Sequence, residues 1–272
     1  MNHQTEFFLP ELCSMSSPVK VAVFDFDGTI STLRCGWEAV MEELMLKHLA
    51  GGILEGEELT EYIRRYIDES TGIQTIYQME WIAQQVKDLC GRTPLDPWEY
   101  KDLYNAALLK MVNERVEQLK KGIANPLDYM VPGAQEYLRL LSQAGIDIYI
   151  ASGTDQQDVE QEAKLLGMTD LVKEVRGAPH RRKDCSKEGV IRQILQTEGL
   201  SGKELLVVGD GKVEIQLGNE AGAVTVGIAS WELKKKDGFH LQKLQKLQKA
   251  GARYITANFI PLIDQWNRGQ AE

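Results

Sequence analysis

The chain has 272 residues, 43% of them hydrophobic and 26% charged, enough for one sizeable α/β domain or a core carrying a smaller insert. Its formal charge of −9 and isoelectric point near 5.2 give a surface that repels phosphate backbones, which argues against a nucleic-acid partner. No stretch approaches the roughly 20 apolar residues of a membrane span, and Cys13, Cys35, Cys90 and Cys185 are scattered without a C-x-x-C pair, which fits reduced thiols rather than a zinc site or disulfide framework.

Residues 1–18 read as an N-terminal tail without the basic start and apolar stretch of a signal peptide. A cytoplasmic protein, monomer or homodimer, is expected. The first strand pattern follows at once: VKVAVF (19–24) is apolar and β-branched with almost no polar alternation, as strands buried on both faces of a parallel sheet are. It ends in DFDGT, residues 25–29.

More than a hundred residues then separate Asp25 from the next strand pattern, whereas a βαβ crossover needs only a dozen or so. Most of that excess is helix-compatible. GWEAVMEELMLKHLA, EELTEYIRRYIDES, TIYQMEWIAQQVKDLC and PWEYKDLYNAALLKMVNERVEQLKK repeat apolar residues at steps of three and four, punctuated by Gly51, Gly52, Gly72, Gly91 and Pro94. Residues 35–127 are therefore expected to form a four-helix cap inserted into a core made of 19–34 and 128–272.

The remainder alternates. Helical patterns at 133–144, 156–166, 187–197 and 213–221 interleave with strand patterns IDIYIA (146–151), ELLVVG (204–209), AVTVGI (223–228) and ARYIT (252–256). This is the signature of an α/β fold, a Rossmann-like parallel sheet with helices on both faces, here with an inserted all-helical domain. Arg176, His180, Arg181, Arg182 and Lys183 read as a solvated basic loop. In HLQKLQKLQK, Leu241, Leu244 and Leu247 read as one apolar stripe of a surface helix.

Three of the buried runs end abruptly in polar residues: VAVFDFDGT, IYIASGT and LLVVGDGKVE. Ligands of open parallel sheets bind beyond the carboxyl ends of the strands, so Asp25, Asp27, Ser152 and Asp210 should converge there. Crowded carboxylates repel one another unless a cation sits among them, and hard oxygen donors suit Mg2+. Gly28 and Thr29 could meet a phosphate at a tight turn, and Ser152 and Gly153 precede a helix whose free amides favour an anion. Lys187, at the start of another helix, can supply a positive charge.

With these residues in hand, the sequence resembles the haloacid dehalogenase-like hydrolase superfamily. DFDGT matches the first motif of that family, the serine of IASGT the second, Lys187 in CSKEGVI the third and GDGKVE from Gly209 to Glu214 the fourth, and the insert sits where the family carries its C1 cap. The resemblance implies a magnesium-dependent phosphatase acting on a small phosphorylated metabolite. Asp25 would be the nucleophile and Asp27 the acid and base, a second aspartate that the dehalogenase branch lacks. Ser152 and Lys187 would hold the phosphoryl oxygens. Asp25, the Asp27 carbonyl and Asp210 would hold the metal, with Glu214, where many members carry aspartate, ligating directly or through water. Arg34, just past the first motif, is a candidate substrate contact. The aromatic residues of the insert (among them Trp37, Tyr62, Tyr66, Trp81, Tyr100 and Tyr104) read mainly as its core. Two other enzymatic readings stay open, a phosphomutase and a phosphonate hydrolase, the latter needing a cap lysine such as Lys47, Lys87, Lys101 or Lys110. A catalytically inactive metabolite-binding or partner-binding module is the reading from outside enzymology.

Overall fold

The structure is a computed structural model that describes residues 19–182, 187–232 and 238–269. Six strands, β1 (Val21–Phe24), β2 (Asp147–Asp155), β3 (Glu174–Ala178), β4 (Leu205–Gly209), β5 (Val224–Ile228) and β6 (Tyr254–Thr256), form one parallel sheet in the order β3-β2-β1-β4-β5-β6. The order reverses at β1, where neighbouring connections leave in opposite directions and open a crevice beyond the carboxyl ends of β1, β2 and β4.

Because successive side chains of a strand point to opposite faces, the apolar runs feed two cores at once. Ala22 and Phe24 join Ile148, Ile150, Leu206 and Val208 under α5 (Ala134–Gln143), α6 (Gln156–Leu165) and α10 (Ile260–Gly269). Val21 and Val23 join Tyr149, Leu205 and Val207 under α7 (Lys187–Glu198) and α8 (Lys212–Glu220). Strands buried on both sides cannot alternate polar and apolar residues, which is why these runs read so clearly.

β3 departs from expectation, since its sequence, EVRGA, reads as part of a basic loop yet pairs with β2. As an edge strand it leaves Glu174 exposed and keeps only Gly177 and Ala178 buried, so it lacks the apolar run by which its neighbours are recognised. Arg181 pairs with Asp102 at the surface, and Lys183 lies outside the described residues, as do Cys13 and Cys185. A second departure is in α9 (Leu241–Lys249): Leu247 is buried and Leu244 partly so, but Leu241 is 66% exposed. Each step of three falls about 60° short of a helical turn, so Leu241 has rotated away from the face that Leu247 buries.

Between β1 and β2 lie α1 (Trp37–Leu49), α2 (Gly56–Glu69), α3 (Thr75–Cys90) and α4 (Pro97–Lys120). They bury a cluster of their own that includes Met41, Met45, Ile63, Met79, Ile82, Tyr100 and Leu108. Tyr66 stacks on Trp81 at 3.8 Å, so these rings pack the insert. α4 begins where Asp96 accepts a hydrogen bond from Trp98 N at 2.8 Å and Glu99 accepts one from Asp96 N at 3.0 Å, with Pro97 in the first helical position, a capping box that satisfies amides no helical turn reaches. The insert is tied to the sheet by Arg115, which donates to Leu33 O at 2.6 Å and Cys35 O at 2.9 Å. Lys101 and Asn105 donate to Asp155 at 2.5 and 2.9 Å, and Asp68 pairs with Lys246 of α9. No helix among the described residues is long and apolar enough to cross a membrane.

Candidate active site

Asp25 is the first residue beyond β1, and its N–H donates to Val208 O of β4 at 2.9 Å, so the sheet itself fixes its position. The chain then turns tightly, with Gly28 at φ +79°. A Cβ on Gly28 would lie 2.2 Å from Asp210 Oδ2, so both the backbone angle and the space require glycine there. Ser230, just past β5, donates to Gly28 O at 3.1 Å and braces the turn.

Lys187, the first residue of α7, bridges two carboxylates: its Nζ donates to Asp25 Oδ1 at 2.7 Å and to Glu214 Oε2 at 3.1 Å. Glu214 folds back over the start of α8 and accepts from Gly211 N at 2.8 Å. A Cβ on Gly209 would lie 2.1 Å from its Cγ. At 3% exposure Glu214 is an interior residue, not a surface acid complementing the helix dipole. Burial pushes the Asp25 carboxyl well above the usual range, with Glu214 and Asp210 pushing the same way and Lys187 opposing them. Burial works against the Lys187 charge, but Asp25 and Glu214 outweigh it and its pKa is raised.

One oxygen from each of Asp25, Asp210 and Glu214 lies within 4.8 Å of the others. Three carboxylates with oxygens this close together are hard donors of the kind that would hold a magnesium ion. The Asp27 side chain belongs to a different part of the site. Its Oδ2 accepts from Ser152 Oγ at 3.2 Å and Thr154 Oγ1 at 2.8 Å, while Oδ1 is buried without a hydrogen-bond partner among the described residues. Two aspartates two residues apart thus meet different partners: Asp25 an ammonium group, Asp27 two hydroxyls.

These groups open onto a cavity of about 910 Å³ between the strand ends and the inserted helices, lined by Asp25, Asp27, Ser152, Gly153, Lys187 and Asp210 from the sheet side. Gly153 faces the insert so closely that a Cβ would lie 3.2 Å from Ile73 O. Two expectations need correction. Thr29 is fully buried beneath the cavity and donates to Asp25 Oδ2 at 3.4 Å, so it supports the aspartate rather than lining a phosphate pocket. Arg34 does reach the cavity, but its guanidinium is held by Glu162 at 2.6 Å and Asp158 at 3.1 Å on α6, so its charge is already met by two carboxylates. Of the four cap lysines considered above, Lys101 lines the cavity, paired with Asp155.

Sequence reasoning missed Thr154, Glu232 and Lys243. Lys243 Nζ donates to Asp210 Oδ2 at 2.6 Å and also pairs with Glu232. Burial opposes its charge, yet the two carboxylates outweigh burial and its pKa is raised. A signal for Glu232 was present, since GIASWE also ends a buried strand in polar residues and the strand-end rule applies to it as to the other three.

Residues 19–222 match the haloacid dehalogenase-like hydrolase family, so the chain belongs to that family and is a hydrolase. It is 23% identical over 208 residues to a phosphoglycolate phosphatase of Aliivibrio fischeri, covering 76% of this chain and 83% of that protein. Among solved structures it is similar in fold to a predicted phosphoglycolate phosphatase from Haemophilus somnus, with TM-score 0.59, 15% identity and coverage of 92% of this chain and 98% of the other. It is likewise similar to a β-phosphoglucomutase from Clostridium difficile, with TM-score 0.62, 14% identity and coverage of 93% and 100%.

Proposed function

We propose that the protein is a magnesium-dependent phosphatase that hydrolyses a small phosphorylated metabolite through a phosphorylated Asp25. The observation that carries this reading is the division of labour between two neighbouring aspartates, one held by Lys187 and close to two further carboxylates, the other held by hydroxyls with one oxygen unpartnered among the described residues. A magnesium ion held by Asp25, the Asp27 carbonyl, Asp210 and Glu214 would draw negative charge off the phosphoryl oxygens.

In the first step an Asp25 carboxylate oxygen attacks phosphorus in line. The bond from phosphorus to the ester oxygen breaks, and Asp27 delivers a proton to that oxygen as it leaves. In the second step Asp27 takes a proton from a water that attacks phosphorus, the bond from Asp25 to phosphorus breaks, and inorganic phosphate departs. Lys187 and Ser152 face the phosphoryl oxygens, where positioned cations and donors lower the barrier most. The four helices of residues 35–127 serve as the lid, contributing the distal wall where the leaving group would be read and excluding water from the phosphoryl group.

The test is a panel of phosphate monoesters, including phosphoglycolate, sugar phosphates and nucleotides, assayed with magnesium and with excess EDTA. At least one ester should release phosphate in a magnesium-dependent way. Failure on every ester, or activity that EDTA leaves intact, would contradict the proposal. Transfer of the phosphoryl group to a second sugar phosphate instead of water would reassign the chain to the mutase reading.

A further inference from the structure

The site contains a second lysine with no counterpart among the four sequence motifs. Lys243 comes from α9, beyond the residues that match the family, and it reaches the strand ends from the end of the sheet formed by β5 and β6. Its ammonium is shared between Asp210, at 2.6 Å, and Glu232, and all three side chains are 15% exposed or less. The helix that carries it is firmly seated. Leu247 packs with Ile215, Ala229 and Ile255, and a Cβ on Gly227 of β5 would lie 2.9 Å from the Leu247 side chain. His240 fixes the start of α9, donating its N–H to Ala229 O at 2.8 Å and accepting from Lys243 N at 3.4 Å, with its ring against Trp231 at 4.5 Å.

We propose that Lys243, braced by Glu232, is a positioning residue that clamps one oxygen of Asp210 so that the other is presented to the metal in a fixed direction. The inference rests on the metal site proposed above. Its chemistry is that of an outer-shell partner: a carboxylate ligand with one oxygen already hydrogen-bonded is restricted in rotation and binds through the remaining oxygen. Charge supports the same reading. Lys187 touches Asp25 and Glu214 while Lys243 touches Asp210 and Glu232, so the four carboxylates outnumber the two ammonium groups and the cluster still attracts a cation. Glu232 also keeps Lys243 from neutralising Asp210 alone.

The clamp makes a prediction opposite in sign to simple electrostatics. Removing a cation next to a dication site should tighten metal binding if charge alone mattered. Removing a clamp should loosen it, by about tenfold on the scale of outer-shell changes. The measurement is Mn2+ binding to the full-length, metal-depleted protein, with free Mn2+ counted by electron paramagnetic resonance and no turnover involved. Lys243→Met and the milder Lys243→Gln are each expected to raise the Mn2+ dissociation constant about tenfold, and Lys243→Arg, which keeps charge and donors, to restore most of the affinity. If Lys243→Met does not fold, Lys243→Gln decides alone. Unchanged or tighter Mn2+ binding in the folded charge-removing variants would overturn the clamp while leaving the phosphatase reading standing. No Mn2+ binding by the wild-type protein would overturn the metal site itself.

Discussion

Asp25→Asn is expected to lower turnover by at least about 10⁴-fold, the order seen when a covalent nucleophile is removed, with the fold retained. The change is nearly isosteric, and the amide can still accept from Lys187 through its oxygen. What it removes is the negative charge that attacks phosphorus and can become esterified. Steady-state rates on the best ester from the panel, with circular dichroism as a folding control, check it. Residual turnover within a factor of about ten of wild type would mean that a water molecule attacks phosphorus directly.

The second large effect concerns Lys187. It is the positive group touching both Asp25 and Glu214, and its side chain and both carboxylates are almost wholly buried. Lys187→Met fills similar volume but leaves two carboxylates facing each other without compensation, a change that typically costs about 3–5 kcal/mol. In a protein of this size that corresponds to a fall in Tm of roughly 10 °C, measured in EDTA so that bound metal does not mask it. The loss should depend on pH. Burial already raises the Asp25 carboxyl in the wild type with Lys187 opposing it, so without Lys187 the folded state holds that proton to still higher pH. Stability of the variant then falls as pH rises above the unfolded carboxylate value of about 4, and its deficit against wild type widens in the same direction. A deficit that is constant with pH, or that shrinks as pH rises, would show that Lys187 is not balancing those carboxylates. Activity should collapse in the same variant, because phosphoryl charge loses its fixed cation.

How much of this could be read from the sequence follows from the topology. In a parallel sheet buried on both faces, strands announce themselves as short apolar runs, and the residues that end them share one rim. Asp25, Ser152 and Asp210, scattered over nearly 190 positions, therefore reach the same cavity without any contact being visible in the chain. Lys187 and Glu214 sit in the first turns of α7 and α8, which the sheet also aims at that rim. β3 is hidden because EVRGA carries two charged residues and only a short buried end, whereas β6, the other edge strand, keeps an apolar run. The pairs between Lys243 and Asp210, and between Lys101 and Asp155, could not be read because they depend on the reach of a long side chain across a space that only packing defines. In HLQKLQKLQK the leucine period draws attention to the buried side of α9, yet the lysines share that period. Only the docking of Leu247 decides that Lys243 points into the site. The surroundings of Thr29 and Arg34 are illegible for a related reason: residue type suggests a phosphate contact, whereas burial and the acids of α6 decide what each side chain touches.

The phosphoryl group is expected to rest for part of each cycle on Asp25. The most direct measurement is to mix enzyme, magnesium and a good ester, quench in acid within one turnover, reduce with borohydride, and sequence the peptides by mass spectrometry. An acyl phosphate is reduced to the alcohol while a free carboxylate is not, so position 25 should appear as homoserine in proportion to the burst of leaving group, and no other aspartate should. A burst of leaving group with position 25 recovered wholly as aspartate would rule out a phosphorylated Asp25.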